Sequence, residues 1–445
     1  MADALAATAG AAFDRRLEAR SPAPIALALS GGGDSVALLL LASAWCAARG
    51  RPLLALTVDH RLNPDSAAWT ALAGEAARAA GADWRALAWE GPKPAAGLPA
   101  AARAARHRLL AEAARAAGAR ALLVAHTADD VAEGELMRQA DAPRLGRLQE
   151  WSPSPAWPEG RGLFILRPLL ALGRLQLREW LSARGARWIE DPANHDLRFA
   201  RARARQALGT GAVPPAALPP GAPPGPLPTA TPDGRLVLPR AALRSPGAER
   251  VLAAALLCAA GTARPPRRER LLRLSQALAG DGAVQATLAG ARVSANGGEV
   301  QFGRDAGERF RGGLAPLPLE AGEATAWDGR FELTADEAGW TVQALGGHVA
   351  ALPAPERRSL AVIPPWARGG LPVLTGPNGE ARLPRPFGGG PARAQALAGP
   401  RMAAACGLIA REAEIAEAPH GAGAFATLCS APADRLAVAG ALSPA

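Results

Sequence analysis

Over the first two hundred residues, short apolar runs alternate with stretches of helical length, and each apolar run ends in a polar cluster. Residues 25–29 form the first such run and close on a glycine-rich segment at 30–35, after which 36–48 has the length and pattern of a helix. The same cycle repeats. Residues 53–58 predict a buried strand ending at Asp59 and His60, 65–81 a helix, 84–89 a strand, 101–117 a helix with one basic face, and 121–125 a strand that runs into the polar cluster 126–133. Strands alternating with crossover helices predict a doubly wound parallel α/β sheet. In such sheets ligands bind beyond the C-terminal ends of the strands, which is where every polar cluster falls. Before this pattern, residues 1–20 read as an amphipathic first helix.

The pattern changes at 209–234, a Pro/Gly-rich and almost uncharged segment that predicts a linker, neither helix nor central strand. Beyond it, 243–260 and 267–278 are helix-like, and 286–303 has hairpin character around Asn296-Gly297. The remainder, 314–445, is rich in Pro and Gly with short strand candidates and no repeat. The expected organisation is a catalytic α/β domain at 1–208, a linker at 209–234, a smaller domain at 235–313, and a C-terminal region at 314–445. The smaller C-terminal domains are expected to be mainly helical and mixed.

With 445 residues there is room for two or three cores. A hydrophobic share of 49% against 20% charged residues excludes a wholly disordered chain. The formal charge of +10 favours an anionic partner, and Lys93 is the single lysine among 50 basic residues. The arginine and alanine bias runs through the whole chain and reflects base composition more than function. The apolar helix-like runs 35–48 and 251–263 are shorter than a membrane span, and Asp3 stands where a signal peptide carries positive charge, so a cytoplasmic protein is expected. Cys46, Cys258, Cys406 and Cys429 form no close pair, which argues against a disulfide framework or zinc ribbon.

The most specific chemistry lies in Ser30, Gly31, Gly32, Gly33, Asp34 and Ser35, between a strand and a helix. Glycines let backbone N–H groups approach a phosphate, and the helix start adds positive partial charge. No lysine follows the glycines and the spacing is not GxGxxG, so the two commonest phosphate loops are excluded. A plain helix cap is the alternative reading.

This loop resembles the SGGxDS loop of the PP-loop ATP pyrophosphatases, and six further segments narrow the resemblance to tRNA(Ile)-lysidine synthetases. Residues 58–66 are similar to VDHxLxPxS, 102–107 to ARxxRY, 126–133 to HxxDDQxE, 136–138 to LMR, 167–170 to RPLL, and 190–194 to EDPSN, with Arg201, Arg203 and Arg205 in the basic tail. The series covers residues 23–208, with a weaker likeness at 286–290 and 303–304 in the tRNA-binding region.

The resemblance implies that ATP, with Mg²⁺, activates C2 of the wobble cytidine in the CAU-anticodon isoleucine tRNA, and that free L-lysine then displaces AMP. It implies that the 30–35 loop cradles pyrophosphate, and that Asp34 and Asp130 hold magnesium. Arg103 or Arg106 would neutralise the α-phosphate, and Glu133 would hold the lysine ammonium or take its proton. Asp59, His60 and His126 would line the nucleotide, and Arg198, Arg201, Arg203 and Arg205 would track tRNA phosphates. The family also admits a homodimer, and no membrane partner is implied. Taken alone, Asp129 and Asp130 could simply open a helix, and Arg103 and Arg106 could be a solvated face.

Departures from the pattern cluster after His126: Val131 replaces Gln, Gly134 replaces Thr, and Asp141-Ala142-Pro143-Arg144 replaces a glycine-rich loop. His107 stands for Tyr and Ala193 for Ser. These changes keep a second reading open, a diverged relative that binds tRNA or ATP without turnover. A third, a tRNA 2-thiocytidine thiolase, conflicts with the scattered cysteines.

Overall fold

The computed structural model describes residues 2–140, 147–191, 200–209 and 226–417. Among them two compact units separate, one formed by residues 1–221 together with 409–417, the other by 222–408.

In the first unit, α1 (Ala2–Arg16) precedes β1 (Ile25–Ala28), α2 (Gly33–Ala47), β2 (Leu53–Asp59), α3 (Ser66–Ala79), β3 (Asp83–Ala88), α4 (Leu98–Ala116), β4 (Ala121–Leu123) and α5 (Ala128–Ala140). Then follow β5 (Trp151–Pro153), β6 (Phe164–Leu166), α6 (Arg174–Ser182) and α7 (Ala200–Leu208). The sheet order is β3-β2-β1-β4-β6-β5, parallel except for the antiparallel β5 edge. Register explains the two-sided winding. Ala26 pairs with Leu54 and Leu122, placing all three on one face, where Leu110, Ala111 and Ala114 of α4 cover them. Ile25 and Leu27 alternate to the opposite face and are equally buried. The strand order reverses between β1 and β4, so the crevice of a doubly wound sheet opens beyond those two strands.

The second unit carries a five-stranded antiparallel sheet, β7-β8-β11-β10-β9, from β7 (Thr229–Ala230), β8 (Leu236–Pro239), β9 (Val284–Leu288), β10 (Ala291–Asn296) and β11 (Glu299–Arg304). Helices α8 (Ala248–Ala260) and α9 (Arg268–Ala279) supply Leu252, Leu256 and Leu278 to its core. The Asn296 hairpin is present: Asn296 pairs with Glu299 across Gly297-Gly298, with Gly297 at φ +63. The single helix expected at 243–260 is instead a 3₁₀ turn at Arg240–Arg244 followed by α8, because Pro246 and Gly247 interrupt the chain between them.

Two small sheets follow, sharing a core built around Trp327, Phe331, Leu333, Val342 and Val373. One orders β12 (Leu317–Leu319), β15 (Trp340–Ala344), β16 (Pro372–Thr375) and β17 (Ala381–Arg382), the other β13 (Ala324–Trp327), β14 (Phe331–Ala335) and β18 (Ala392–Ala396). Short helices α10 (Ala354–Ser359) and α11 (Pro365–Arg368) lie between strands, and α12 (Ala398–Ala405) adds Met402 to the five-stranded sheet's core. The last described element, α13 (Glu412–Glu417), belongs to the first unit. No described helix is long and apolar enough to cross a membrane.

Candidate active site

The glycine-rich loop leaves β1 and enters α2 at Gly33, as its sequence requires. Gly31 has φ +83, a conformation that strains any residue with a Cβ, and a Cβ there would also press on the Cδ1 end of the Ile189 side chain. Gly31 C=O accepts from Ile189 N–H at 2.9 Å, and Gly32 bridges the same residue, so residues 188–190 lie along the loop like an added strand. Trp188 and Glu190 are joined indole to carboxylate at 2.7 Å. The Ser35 hydroxyl donates to Gly32 C=O at 2.8 Å and lies 3.1 Å from the Ser30 hydroxyl, fixing both ends of the loop.

Beyond β4, Thr127 begins α5 and Asp130 folds back on it. One carboxylate oxygen of Asp130 accepts from both the N–H and the hydroxyl of Thr127, at 2.9 and 3.1 Å, in a capping-box arrangement. Asp129 caps a different helix, accepting from the N–H of Arg174 at the start of α6 at 2.8 Å. Helix-opening is thus part of the role of both acids, but Asp130 and Glu133, one turn apart, also face a shared centre.

That centre is Arg174, a residue the motif comparison did not single out. Its Nε donates to Asp34 at 3.1 Å and Nη1 to Glu133 at 3.3 Å, while Nη2 lies 3.6 Å from Asp130. Burial acts to lower the guanidinium pKa, but the charges of Asp34, Asp130 and Glu133 outweigh it and raise it. Arg205 of α7 also donates to Glu133, at 2.9 Å. Glu133 is 1% exposed, and its second oxygen is buried with no partner. Oδ1 of Asp34 is likewise buried and unpartnered, and burial pushes the Asp34 carboxyl up, against the pull of Arg174.

His126 is buried and its Nδ1 accepts from Arg167 Nε at 3.2 Å; Arg167 also holds Gln149 C=O and the Ser152 hydroxyl. Burial and the neighbouring Arg103 push the Arg167 guanidinium down to about 10. His107 is pushed down to about 3 by burial and then by Arg106, Arg103 and Arg167, which places these cations around one region. His60 stands edge-on to Trp89 with its Nδ1 buried and unpartnered; burial, then Arg106, lowers its pKa. Asp59 turns one oxygen onto the N–H of Arg61 at 2.8 Å, within its own turn.

Of the basic tail, Arg203 is exposed, whereas Arg205 faces Glu133. Arg198, the Arg201 side chain, the altered loop at 141–144 and Ala193 lie outside the described residues. The carboxylates of Asp34, Asp130 and Glu133 thus converge on Arg174 of α6, and Glu133 also meets Arg205 of α7.

Residues 6–211 match a family model described as a PP-loop domain. A tRNA(Ile)-lysidine synthase of Caulobacter vibrioides is 48% identical over 413 residues, spanning 90% of this chain and 98% of that protein. A synthase of the same name from Methylobacterium nodulans is 37% identical over 65% of this chain and 93% of its own length. One from Hyphomonas neptunium is 42% identical over 46% of this chain and 55% of its own. With a glycine-rich loop at the strand-order reversal and a likeness that runs nearly end to end, this chain belongs to the tRNA(Ile)-lysidine synthase family.

Proposed function

We propose that the protein is a carbon–nitrogen ligase that uses ATP to join free lysine to C2 of the wobble cytidine in the CAU-anticodon isoleucine tRNA. The observation that carries this reading is the convergence of Asp34, Asp130 and Glu133 on one guanidinium, directly below a loop shaped for phosphate.

In the first step the cytidine O2 attacks the α-phosphate and pyrophosphate leaves. Backbone N–H groups of Gly31 to Gly33 and the hydroxyls of Ser30 and Ser35 bind the leaving group, stabilising charge as it develops. Arg103 and Arg106, brought near Arg167 and His107, neutralise the α-phosphate. Asp59, His60 and His126 line the nucleotide. Asp34 and Asp130 fit magnesium, because an all-oxygen pair with one buried, unpartnered Asp34 oxygen suits a cation that takes few carboxylates plus phosphate oxygens. Magnesium bound there supplies charge stabilisation to the phosphates. In the second step the lysine amine attacks C2 and AMP leaves. The free oxygen of Glu133 receives the ammonium and takes its proton.

Arg198, Arg201 and Arg203 contribute a basic footprint for tRNA, and the second unit adds tRNA contacts of its own, in a cytoplasmic enzyme. The thiolase reading is disfavoured by the thiols themselves: burial pushes Cys46 up to about 11 and Cys258 up to about 12, far from nucleophilic.

The test is direct. Purified protein with ATP, Mg²⁺, labelled lysine and unmodified isoleucine tRNA carrying CAU incorporates label, and Asp34→Ala abolishes incorporation. Binding of tRNA without transfer of label identifies a non-catalytic relative; sulfur transfer identifies a thiolase.

A further inference from the structure

Arg174 is placed where the helix it opens disfavours it and where three carboxylates favour it. Its guanidinium meets Asp34 with Nε, Glu133 with Nη1 and Asp130 with Nη2, and its side chain is only 15% exposed. The main chain is anchored as firmly, through its N–H to Asp129. Two of those carboxylates, Asp34 and Asp130, are the pair assigned to the divalent cation, and Arg174 lies on one oxygen of each. One Asp130 oxygen caps the helix through Thr127, so Arg174 and a cation at Asp130 would both address the other. At Asp34 the unpartnered Oδ1 lies beside the oxygen that Arg174 holds, so a guanidinium and a divalent cation on this pair would stand a few ångströms apart, and like charges that close in a partly buried site repel strongly. The carboxylates, however, cannot be left bare either, since three acidic side chains gathered at 23%, 11% and 2% exposure repel one another and are poorly solvated.

We propose that Arg174 is a resident counter-ion for the metal site: its guanidinium compensates Asp34 and Asp130 before the divalent cation binds, and charge repulsion moves it off the pair when the cation arrives. Glu133 is the partner it keeps. Arg174 and Arg205 together occupy one Glu133 oxygen, which aims the unpartnered oxygen at the substrate amine. Arg174 is therefore a positioning residue that couples loading of the metal to the orientation of Glu133. The inference rests on the assignment of Asp34 and Asp130 as metal ligands, and the two are separable by experiment.

The probe is Mn²⁺ alone, titrated into the full-length protein without ATP or tRNA and followed by the electron paramagnetic resonance signal of the free ion. Removing a competing charge tightens cation binding, so Arg174→Gln is expected to lower the Mn²⁺ dissociation constant about tenfold. Apo Arg174→Gln also melts below wild type, and Mn²⁺ restores the loss. Arg174→Lys, which keeps the charge but loses the fork, gives a smaller tightening of about threefold and serves as the test should the glutamine variant not fold. Asp34→Asn removes the Mn²⁺ site. If Arg174→Gln binds Mn²⁺ no more tightly than wild type while Asp34→Asn abolishes binding, the counter-ion role is overturned and the metal assignment stands. If Asp34→Asn binds Mn²⁺ as wild type does, the metal assignment is overturned and the counter-ion role falls with it.

Discussion

Glu412 and Arg51, separated by 361 positions in the sequence, form a two-point ion pair at 2.7 and 2.5 Å, with side chains 1% and 0% exposed. Glu412 also accepts from the N–H of Glu18, and Trp151 donates its indole N–H to Ile409 C=O at 3.0 Å. The segment 409–417 is therefore built into the catalytic unit. Removing one partner of a buried pair leaves an uncompensated charge, which costs about 3–5 kcal/mol, whereas an apolar replacement of both is far milder. Glu412→Gln is expected to destabilise the first unit by that amount in urea unfolding, and Arg51→Met with Glu412→Leu to recover most of it. A loss below about 1 kcal/mol for Glu412→Gln would show that the pair is not structural.

Gly31 sets up a prediction with two separable parts. Alanine at φ +83 carries a conformational cost of about 1–2 kcal/mol, and its Cβ also meets Ile189. Gly31→Ala is expected to weaken ATP binding by at least about tenfold. Adding Ile189→Ala relieves the contact but not the backbone cost, so ATP binding recovers only in part. Full recovery in the double variant, measured by equilibrium dialysis, would assign the whole effect to the contact.

His107 gives the protein a pH dependence of known direction. Its pKa falls from 6.5 in the unfolded chain to about 3 in the fold, so the unfolded state binds more protons between those values. The stabilisation from the neutral ring is complete above pH 6.5 and is lost as pH falls toward 3, by about 1.4 kcal/mol per unit within the window. His107→Gln is expected to flatten this part of the stability profile between pH 4 and 6. An unchanged slope in the variant would locate the acid sensitivity elsewhere.

The parallel sheet was legible because β1, β2 and β4 are buried on both faces, which writes them as continuous apolar runs. The loop and the acids after β4 were legible because their spacing is local. Strands β5 and β6 were not, since three residues, one of them Pro153, carry no readable period. Arg174 was hidden for another reason: it contacts carboxylates 140 and 41 positions away, and an arginine-rich chain offers many equal candidates. The partner of Arg51 was beyond reach for the same reason. In the second unit the strands are short and the chain is rich in alanine, glycine and proline, so burial by long-range pairing, rather than local pattern, defines the sheets.

The contact between Glu133 and Arg205 gives a test of how the proposed lysine step is organised. Glu133 presents one oxygen to Arg174 and Arg205 and leaves the other buried and unpartnered, an expensive arrangement unless a ligand completes it. Glu133→Gln is expected to slow lysine transfer by about a hundredfold while adenylated tRNA still forms and accumulates, because only the second step needs a proton acceptor there. Arg205 separates two roles. As a phosphate contact its loss would reduce the slope of tRNA affinity against salt by about one and leave the lysine KM alone. Its bond to Glu133 argues the opposite outcome. Arg205→Gln is expected to raise the lysine KM about tenfold with the salt slope unchanged, because a carboxylate held by one arginine in place of two is less well aimed at the incoming amine.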